Sequence, residues 1–367
     1  MKNKIIRSLF VFLFPLMLLA QNVKFSPETR RYILHQAPII ALTNVNVIDG
    51  SGNPEQSNQT IIIQEGRIAD IQAADKIQIP ERAQLIDLTG KTLLPGFIMF
   101  HEHLFYPAGG GQYNQQLESF PKLYLAGGVT TIRTAGSLEA YTDLSLKLAI
   151  NSGQLPGPKM YVTSPYFNGP GLGLLQEKPL EGSEHARKMV AYWDYEGVDD
   201  FKVYAQISRE LLKVVVEEAH KIGKKVTGHL GAVTYREAAD LGIDNLEHGF
   251  FVSTDFVPEK IEDKNPSSRV QRESLLKLDP EGPEATSLIQ HLVQKGVAIT
   301  STLTVFEVIT PGRPPLPNAV LDAMLPEARD RFLRTWSRIA NNPKSEWTAL
   351  FKKGMELERK FFEAGGL

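Results

Sequence analysis

The sequence has no cysteine, which excludes disulfides and any thiolate-ligated metal. A metal bound here has to use histidine, carboxylate or similar ligands. It also lacks a charge excess of either sign: 40 Lys and Arg against 42 Asp and Glu give a formal net charge of -2, so there is no electrostatic case for a nucleic-acid partner. No fixed-period repeat or low-complexity tract is present, which argues against a solenoid. Long apolar runs are missing except at the start, where Met1-Lys-Asn-Lys-Ile-Ile-Arg7 precedes the run Leu9 to Leu19. A basic segment followed by a short apolar one has signal-peptide form. The run is short against the roughly 20 apolar residues of a membrane span, so cleavage after Ala20 is favoured over an uncleaved anchor. The expectation is an exported chain, periplasmic or extracellular, with residues 1–20 removed and no stable membrane span remaining.

What is present is a globular composition, 42% hydrophobic and 22% charged over 367 residues, enough to bury a large core. Residues 21–92 hold an N-terminal extension and short alternating β segments, Ile40 to Ile48 and Thr60 to Ile63, punctuated by Asp49-Gly50, Gly52 and Glu65-Gly66. From Gly96 the pattern changes to strand-like runs alternating with helix-like ones, the sequence form of repeated βα units around a parallel sheet. Strands are expected at Phe97 to Phe100, Val129 to Arg133, Met160 to Thr163, Phe201 to Tyr204, Lys225 to Thr227, Ile243 to Leu246 and Val297 to Thr302. The clearest helix runs from Arg209 to Ile222. Ser208 is its cap, Leu211, Leu212, Val215 and Ala219 lie on one face, and Gly223 stops it. Thr234 caps the next helix, Pro311 to Pro317 reads as a loop, and a final helix spans Glu346 to Glu363. Seven such units leave residues 93–367 one strand short of a closed eight-stranded barrel.

The chemistry lies in histidines at strand ends. His101 and His103 are two residues apart after an apolar strand, so their side chains share a face and can converge on one ion. Neutral imidazole is the commonest protein ligand for zinc-like metals. His229 and His248 each follow another expected strand, and βα-barrel sites are assembled at the C-terminal ends of strands. Four such positions at three strand ends form a constellation, although each histidine alone would read as an ordinary core or surface residue. His35, His185, His220 and His291 fall outside the pattern. Lys202 lies inside a strand with Asp200 and Tyr204 on its face. A lysine pointing into a barrel mouth is costly without a partner or a depressed pKa. A neutral amine can add carbon dioxide to give a carbamate that bridges two cations, whereas the alternative is a lysine that snorkels to solvent. Tyr204, on the same face, is placed either to donate to a developing oxyanion or simply to pack.

The ordered set Leu94-Pro-Gly-Phe-Ile-Met-Phe-His-Glu-His-Leu104, Gly128-Val-Thr-Thr-Ile-Arg133, Lys202, Thr227-Gly-His-Leu230 and Leu246-Glu-His-Gly249 resembles the amidohydrolase superfamily, within it the imidazolonepropionase-like and prolidase-like branch. The resemblance implies an α/β fold: a (β/α)8 TIM-type barrel, here lacking its last strand, with a small N-terminal β-sandwich that is also incomplete. It implies His101 and His103 as ligands of one metal, His229 and His248 of a second, and Lys202 as a carboxylated bridge. The metals would be two Zn2+, with Mn2+, Fe2+ or Co2+ as alternatives, and a hydroxide between them would be the nucleophile. Two departures stand out. The family's strand-eight aspartate has no counterpart before Leu367, and Thr134 follows Arg133 where the branch often has aspartate. The expected reaction is hydrolysis of an amide or peptide-like bond in a small-molecule or dipeptide-like substrate. A mononuclear cyclic amidase or deaminase with unmodified Lys202, and an inactive metal-binding fragment, are the alternatives. Substrate choice belongs to loops such as Ser253 to Glu284. Oligomeric state stays open, a homo-oligomer included.

Overall fold

The computed structural model describes residues 24–109, 112–171, 176–322, 324, 326–342 and 345–367; the expected signal segment, 1–20, lies outside them. Strands β1 (Ile39–Val47), β2 (Gln56–Gln64), β3 (Arg67–Ala73), β4 (Gln84–Asp87) and β5 (Thr92–Leu93) form one mixed sheet in the order β3-β2-β1-β4, with β5 also on β1. β1 and β2 pair antiparallel, and β4 and β5 run parallel to β1. Alternation puts Val45, Val47 and Ile61 into a small core, while Ile68, Ile71 and Leu85 on other positions are exposed. Where a sandwich was expected, the described residues give this single sheet.

The chain then enters the parallel strands that carry the site: β6 (Phe97–Glu102), then a hairpin of β7 (Phe105–Gly109) and β8 (Gln112–Gln115), then β9 (Val129–Thr134), β10 (Lys159–Tyr161), β11 (Thr163–Phe167), β12 (Asp200–Val203), β13 (Val226–Gly228), β14 (Asn245–Glu247) and β15 (Ala298–Thr300). Apart from the antiparallel β7–β8 hairpin, they form two sheets, β10-β9-β6 and β11-β12-β13-β14-β15, every neighbouring pair parallel. All seven expected strands are present, but the third is broken in two at Val162. There side chains replace ladder bonds. Asp199 Oδ2 accepts from Val162 N at 2.6 Å, and Thr134 Oγ1 accepts from Thr163 N at 3.0 Å. Thr163 Oγ1 donates to Thr134 O at 2.9 Å and accepts from Gly136 N at 2.7 Å. A single parallel bridge, Ser137 to Pro165, crosses the seam. On the outer edge of β15, Ile299 N donates to Leu367 O at 2.8 Å; no ladder joins β15 to β6 among the described residues.

The core follows the same division. One cluster, with Leu104, Val129, Ile132, Met160 and Val162, backs β6, β9 and β10. The larger one gathers Phe201, Val203, Val226 and Leu246 from the strands with Leu212, Val215 and Ala219 from the helix Arg209–Lys221. That helix forms where expected: Ser208 accepts from Leu211 N, and its buried stripe includes the four anticipated residues. Thr234 makes a full capping box with Glu237. The last helix, Trp347–Glu363, lays Leu350, Leu357 and Phe361 into the larger core. Among the described residues no helix is long and apolar enough to cross a membrane.

Candidate metal centre

Each side chain is delivered by the end of a parallel strand: β12, β13 and β14 are largely buried up to that point, whereas Phe97, Ile98 and Phe100 of β6 are exposed. His101 is the fifth residue of β6 and His103 follows it; Glu102 between them points the other way and accepts from Tyr124 OH at 2.7 Å, as alternation requires. His229 follows β13 and His248 follows β14. His248 has φ 71, a left-handed conformation uncommon for a side chain with a Cβ and typical of functional turns. Lys202 sits within β12 at 0% exposure.

The rings converge. His101 lies 5.1 Å from His103 between ring centroids and 4.5 Å from His248, and His248 lies 4.5 Å from His229. Tyr204 adjoins His229 at 4.7 Å and Tyr166 adjoins Tyr204 at 4.4 Å. Phe105, at the start of the hairpin, stacks on His103 at 4.6 Å. The structure therefore brings together all five anticipated ligand positions and Tyr204. The remaining histidines have partners elsewhere: His220 with Asp244, His291 with Asp240, His185 with the Glu181 amide and His35 with Gln84.

Hydrogen bonds fix which nitrogen is free. His103 Nδ1 is 3.2 Å from the Gly136 carbonyl oxygen, which can only accept, so Nδ1 carries the proton and Nε2 presents its lone pair. His101 Nδ1 donates in the same way to Glu247 Oε2 at 2.7 Å, and His248 Nδ1 meets Thr302 Oγ1 at 2.9 Å. Burial keeps the rings neutral. It lowers His103 and His229 to about 3, with Lys202 and His101 adding repulsion, and it carries His248 well below the ordinary range. Neutral imidazole is the form in which histidine ligates metal, and in His101 and His103 an acceptor at Nδ1 leaves Nε2 free for it.

Glu247 was not read from the sequence as a site residue. Fully buried, it accepts from His101, from Arg133 Nη2 at 2.6 Å and from Thr227 Oγ1. Burial by itself would raise its pKa, yet Lys202, the His101 bond and Arg133 hold it well below the usual carboxylate range. Lys202 Nζ is 3.8 Å from Glu247 Oε1, beyond hydrogen-bond reach, and this buried amine has no hydrogen-bond partner. Burial, with Arg133 opposing Glu247, lowers Lys202 to about 8. The period-two rule hides Glu247 because it precedes His248 directly and should face the opposite side. The turn at His248 brings both inward.

Among the described residues no three His, Asp or Glu side chains converge on a point that could hold a metal ion. The donors come as histidine pairs around an amine with no partner, a set that fits metal only if something on or beside Lys202 completes each pair.

The amidohydrolase family model matches residues 92–327, well over half of the chain. Curated relatives are dihydroorotases, from Aquifex aeolicus at 40% identity over 94 residues, 25% of this chain and 21% of that protein, and from Anaeromyxobacter dehalogenans at 26% over 121 residues, 31% of this chain and 27% of that protein. The aligned stretches thus span about a quarter of those relatives or less. Among solved structures, a putative prolidase from Bifidobacterium longum is 22% identical with a TM-score of 0.56, covering 90% of this chain and 72% of that one. A Xaa-Pro dipeptidase with bound methionine is 19% identical with a TM-score of 0.58, covering 89% and 77%. These likenesses show the fold, and the match over residues 92–327 shows that the chain belongs to the amidohydrolase family.

Proposed function

We propose that this chain is a metal-dependent hydrolase that cleaves a carbon–nitrogen bond, amide or peptide-like, of a small-molecule or dipeptide-like substrate at a binuclear site. The observation that carries this reading is a fully buried Lys202 amine without a hydrogen-bond partner, ringed by four imidazoles from three strand ends. His101 and His103 would hold one divalent ion, His229 and His248 the other, and a carbamate on Lys202 would bridge them. Zinc suits the imidazoles, as do Mn2+, Fe2+ and Co2+. The bound metals would supply Lewis acidity and activation of the attacking water. The chain's own residues do the rest. Glu247 keeps the proton on His101 Nδ1. Tyr204, its hydroxyl raised to about 12 chiefly by burial, stays protonated and would donate to the substrate oxygen. Phe105 and Tyr166 wall the site against water. Family membership supports the reaction class, and a structural neighbour that is a Xaa-Pro dipeptidase supports a dipeptide-like substrate. We place the working enzyme outside the cytoplasm, on the basis of the N-terminal sequence.

A mononuclear reading is favoured by the 3.8 Å approach of Lys202 to Glu247, which suits an unmodified ammonium. Metal content decides between them. Two ions per chain in the wild type and a loss of metal and amide turnover in Lys202→Ala is the expected result. A Lys202→Ala protein with unchanged metal and turnover refutes the bridged site.

A further inference from the structure

Beside the imidazoles stands a second group of polar atoms that nothing in the hydrolytic machinery uses. Both carboxylate oxygens of Glu177, both amide atoms of Gln115 and Nδ2 of Asn168 are shielded from solvent with no hydrogen-bond partner. Unsatisfied buried polar groups are uncommon, and each calls for an explanation. Asn168, at 0% exposure, is anchored through Oδ1, which accepts from Gln206 N at 2.7 Å. Burial raises the Glu177 carboxyl above its ordinary range, and the neighbouring Asn168 amide partly offsets that rise. Gln176 ties this segment to the β7–β8 hairpin, accepting from Tyr113 N at 3.1 Å and donating to Tyr113 O at 3.4 Å.

The hairpin orients Gln115. It pairs with Phe105, and Tyr113 pairs with Pro107, so Gln115, Tyr113 and Phe105 share one face. Phe105 on that face stacks on His103. Glu177 in turn acts electrostatically on Tyr166 and Tyr204, the two aromatic rings next to the histidine cluster. The unsatisfied atoms therefore border the metal centre. Among the described residues, no lysine or arginine forms an ion pair with Glu177, and its neighbour Lys178 turns to Glu181 at 3.7 Å. A shielded carboxylate without a counter-ion among the described residues, within electrostatic reach of the Tyr166 and Tyr204 hydroxyls, has the chemistry of a cation receptor.

We infer that Glu177, with Asn168 and Gln115, forms a subsite that binds a positively charged nitrogen of the substrate, an ammonium or guanidinium group close to the scissile amide. The inference rests on the proposed function in taking the scissile amide to lie among the imidazoles. It narrows the substrate class to small amides carrying a cationic nitrogen, such as dipeptides with a free amino terminus.

Two measurements on the full chain separate the subsite from the hydrolytic reading. The first is calorimetric binding of leucinamide and of N-acetylleucinamide, which differ in the charge at the amino nitrogen and need no turnover to be compared. Wild type is expected to bind the charged ligand at least tenfold more tightly, and Glu177→Gln, which keeps shape and removes charge, to bind the two alike. Glu177→Lys should reverse the preference toward N-succinylleucinamide, and thermal melts check that both variants fold. The second is hydrolysis by metal-loaded protein of leucylproline and N-formylleucylproline. In Glu177→Gln the KM for the free-amine substrate should rise about tenfold with kcat little changed, and the formyl substrate should be unaffected. Absence of a charge preference in wild type, or its persistence in Glu177→Gln, overturns the subsite. Hydrolysis without a charge preference overturns only the subsite. A Glu177-dependent preference without hydrolysis of either dipeptide overturns the hydrolase reading and leaves the subsite standing.

Discussion

Glu247, shielded from bulk solvent, gathers three cationic or potentially cationic neighbours, His101, Arg133 and Lys202. Truncating one partner of such a buried pair typically costs about 3–5 kcal/mol, because the others keep their desolvation cost without compensation. Glu247→Gln should therefore lower the melting temperature. It should also weaken metal binding by about 10–100-fold, since a neutral amide orients His101 less firmly than a carboxylate does. Chelator competition measures the second effect, and a variant with wild-type metal affinity would sink the orienting role. Burial also sets the pH response. His103 and His229, near 6.5 when unfolded and about 3 when folded, contribute stability that is whole above 6.5 and is lost as pH falls toward 3. Asp143 has the opposite sign. Burial raises it from 3.8 to about 7, so its contribution is whole below 3.8 and is lost as pH rises through 7, up to roughly 4 kcal/mol at 1.36 kcal/mol per unit. Between pH 5 and 8, melting curves of Asp143→Asn should show less loss than wild type; equal slopes would count against the assignment. At this scale the histidines were legible because ligand chemistry requires them at strand ends. Glu247 and Asp143 were not, since their environment arises only from packing.

Elements with local signals could be read almost to the residue. The helix Arg209–Lys221 carries a serine cap, a continuous apolar stripe and a glycine stop, and Leu212→Ala at its fully buried position should cost about 2–5 kcal/mol by denaturant melt. The third of the expected parallel strands was legible as apolar sequence but not as two pieces, because its break is made by Thr134, Thr163 and Asp199, whose bonding partners are distant in sequence. The β7–β8 hairpin gave no alternating signal across its short arms, yet it supplies the Phe105 wall. Gly136 shows how an element end shapes the site. It has φ 103, and a Cβ there would lie 2.2 Å from the Tyr166 ring and 2.9 Å from Lys202 Cγ. Gly136→Ala should push both away and disturb the carbonyl that orients His103, lowering stability and metal content together. A variant that melts lower but keeps its metal would separate the two effects.

Across the whole molecule, the candidate centre lies on the seam between the two parallel sheets. His101, His103 and Arg133 come from the sheet of β6 and β9, while Lys202, His229, Glu247 and His248 come from the other. Among the described residues, strand pairing across that seam amounts to the bridge at Ser137 and Pro165, and each sheet backs onto its own apolar cluster. Much of the polar link is made by Glu247 to His101 and Arg133, and by Arg133 to Thr300 at 3.5 Å. Two ions held by ligands from both sides would join the halves more strongly than these contacts do. A ligand that binds only the folded state stabilises it by about 4.1 kcal/mol at 1,000 times its Kd. Zinc added to chelator-treated protein should therefore raise the melting temperature. It should also slow hydrogen exchange in β6 and β9 as well as in β12 to β14, because at the proposed binuclear site neither sheet could open alone while ions spanned the seam. In His101→Ala/His103→Ala only the ion proposed for His229 and His248 would remain, so protection should rise in β13 and β14 while β6 and β9 stay at their metal-free rates. Equal protection of both sheets in that variant would show that the ions do not tie them together.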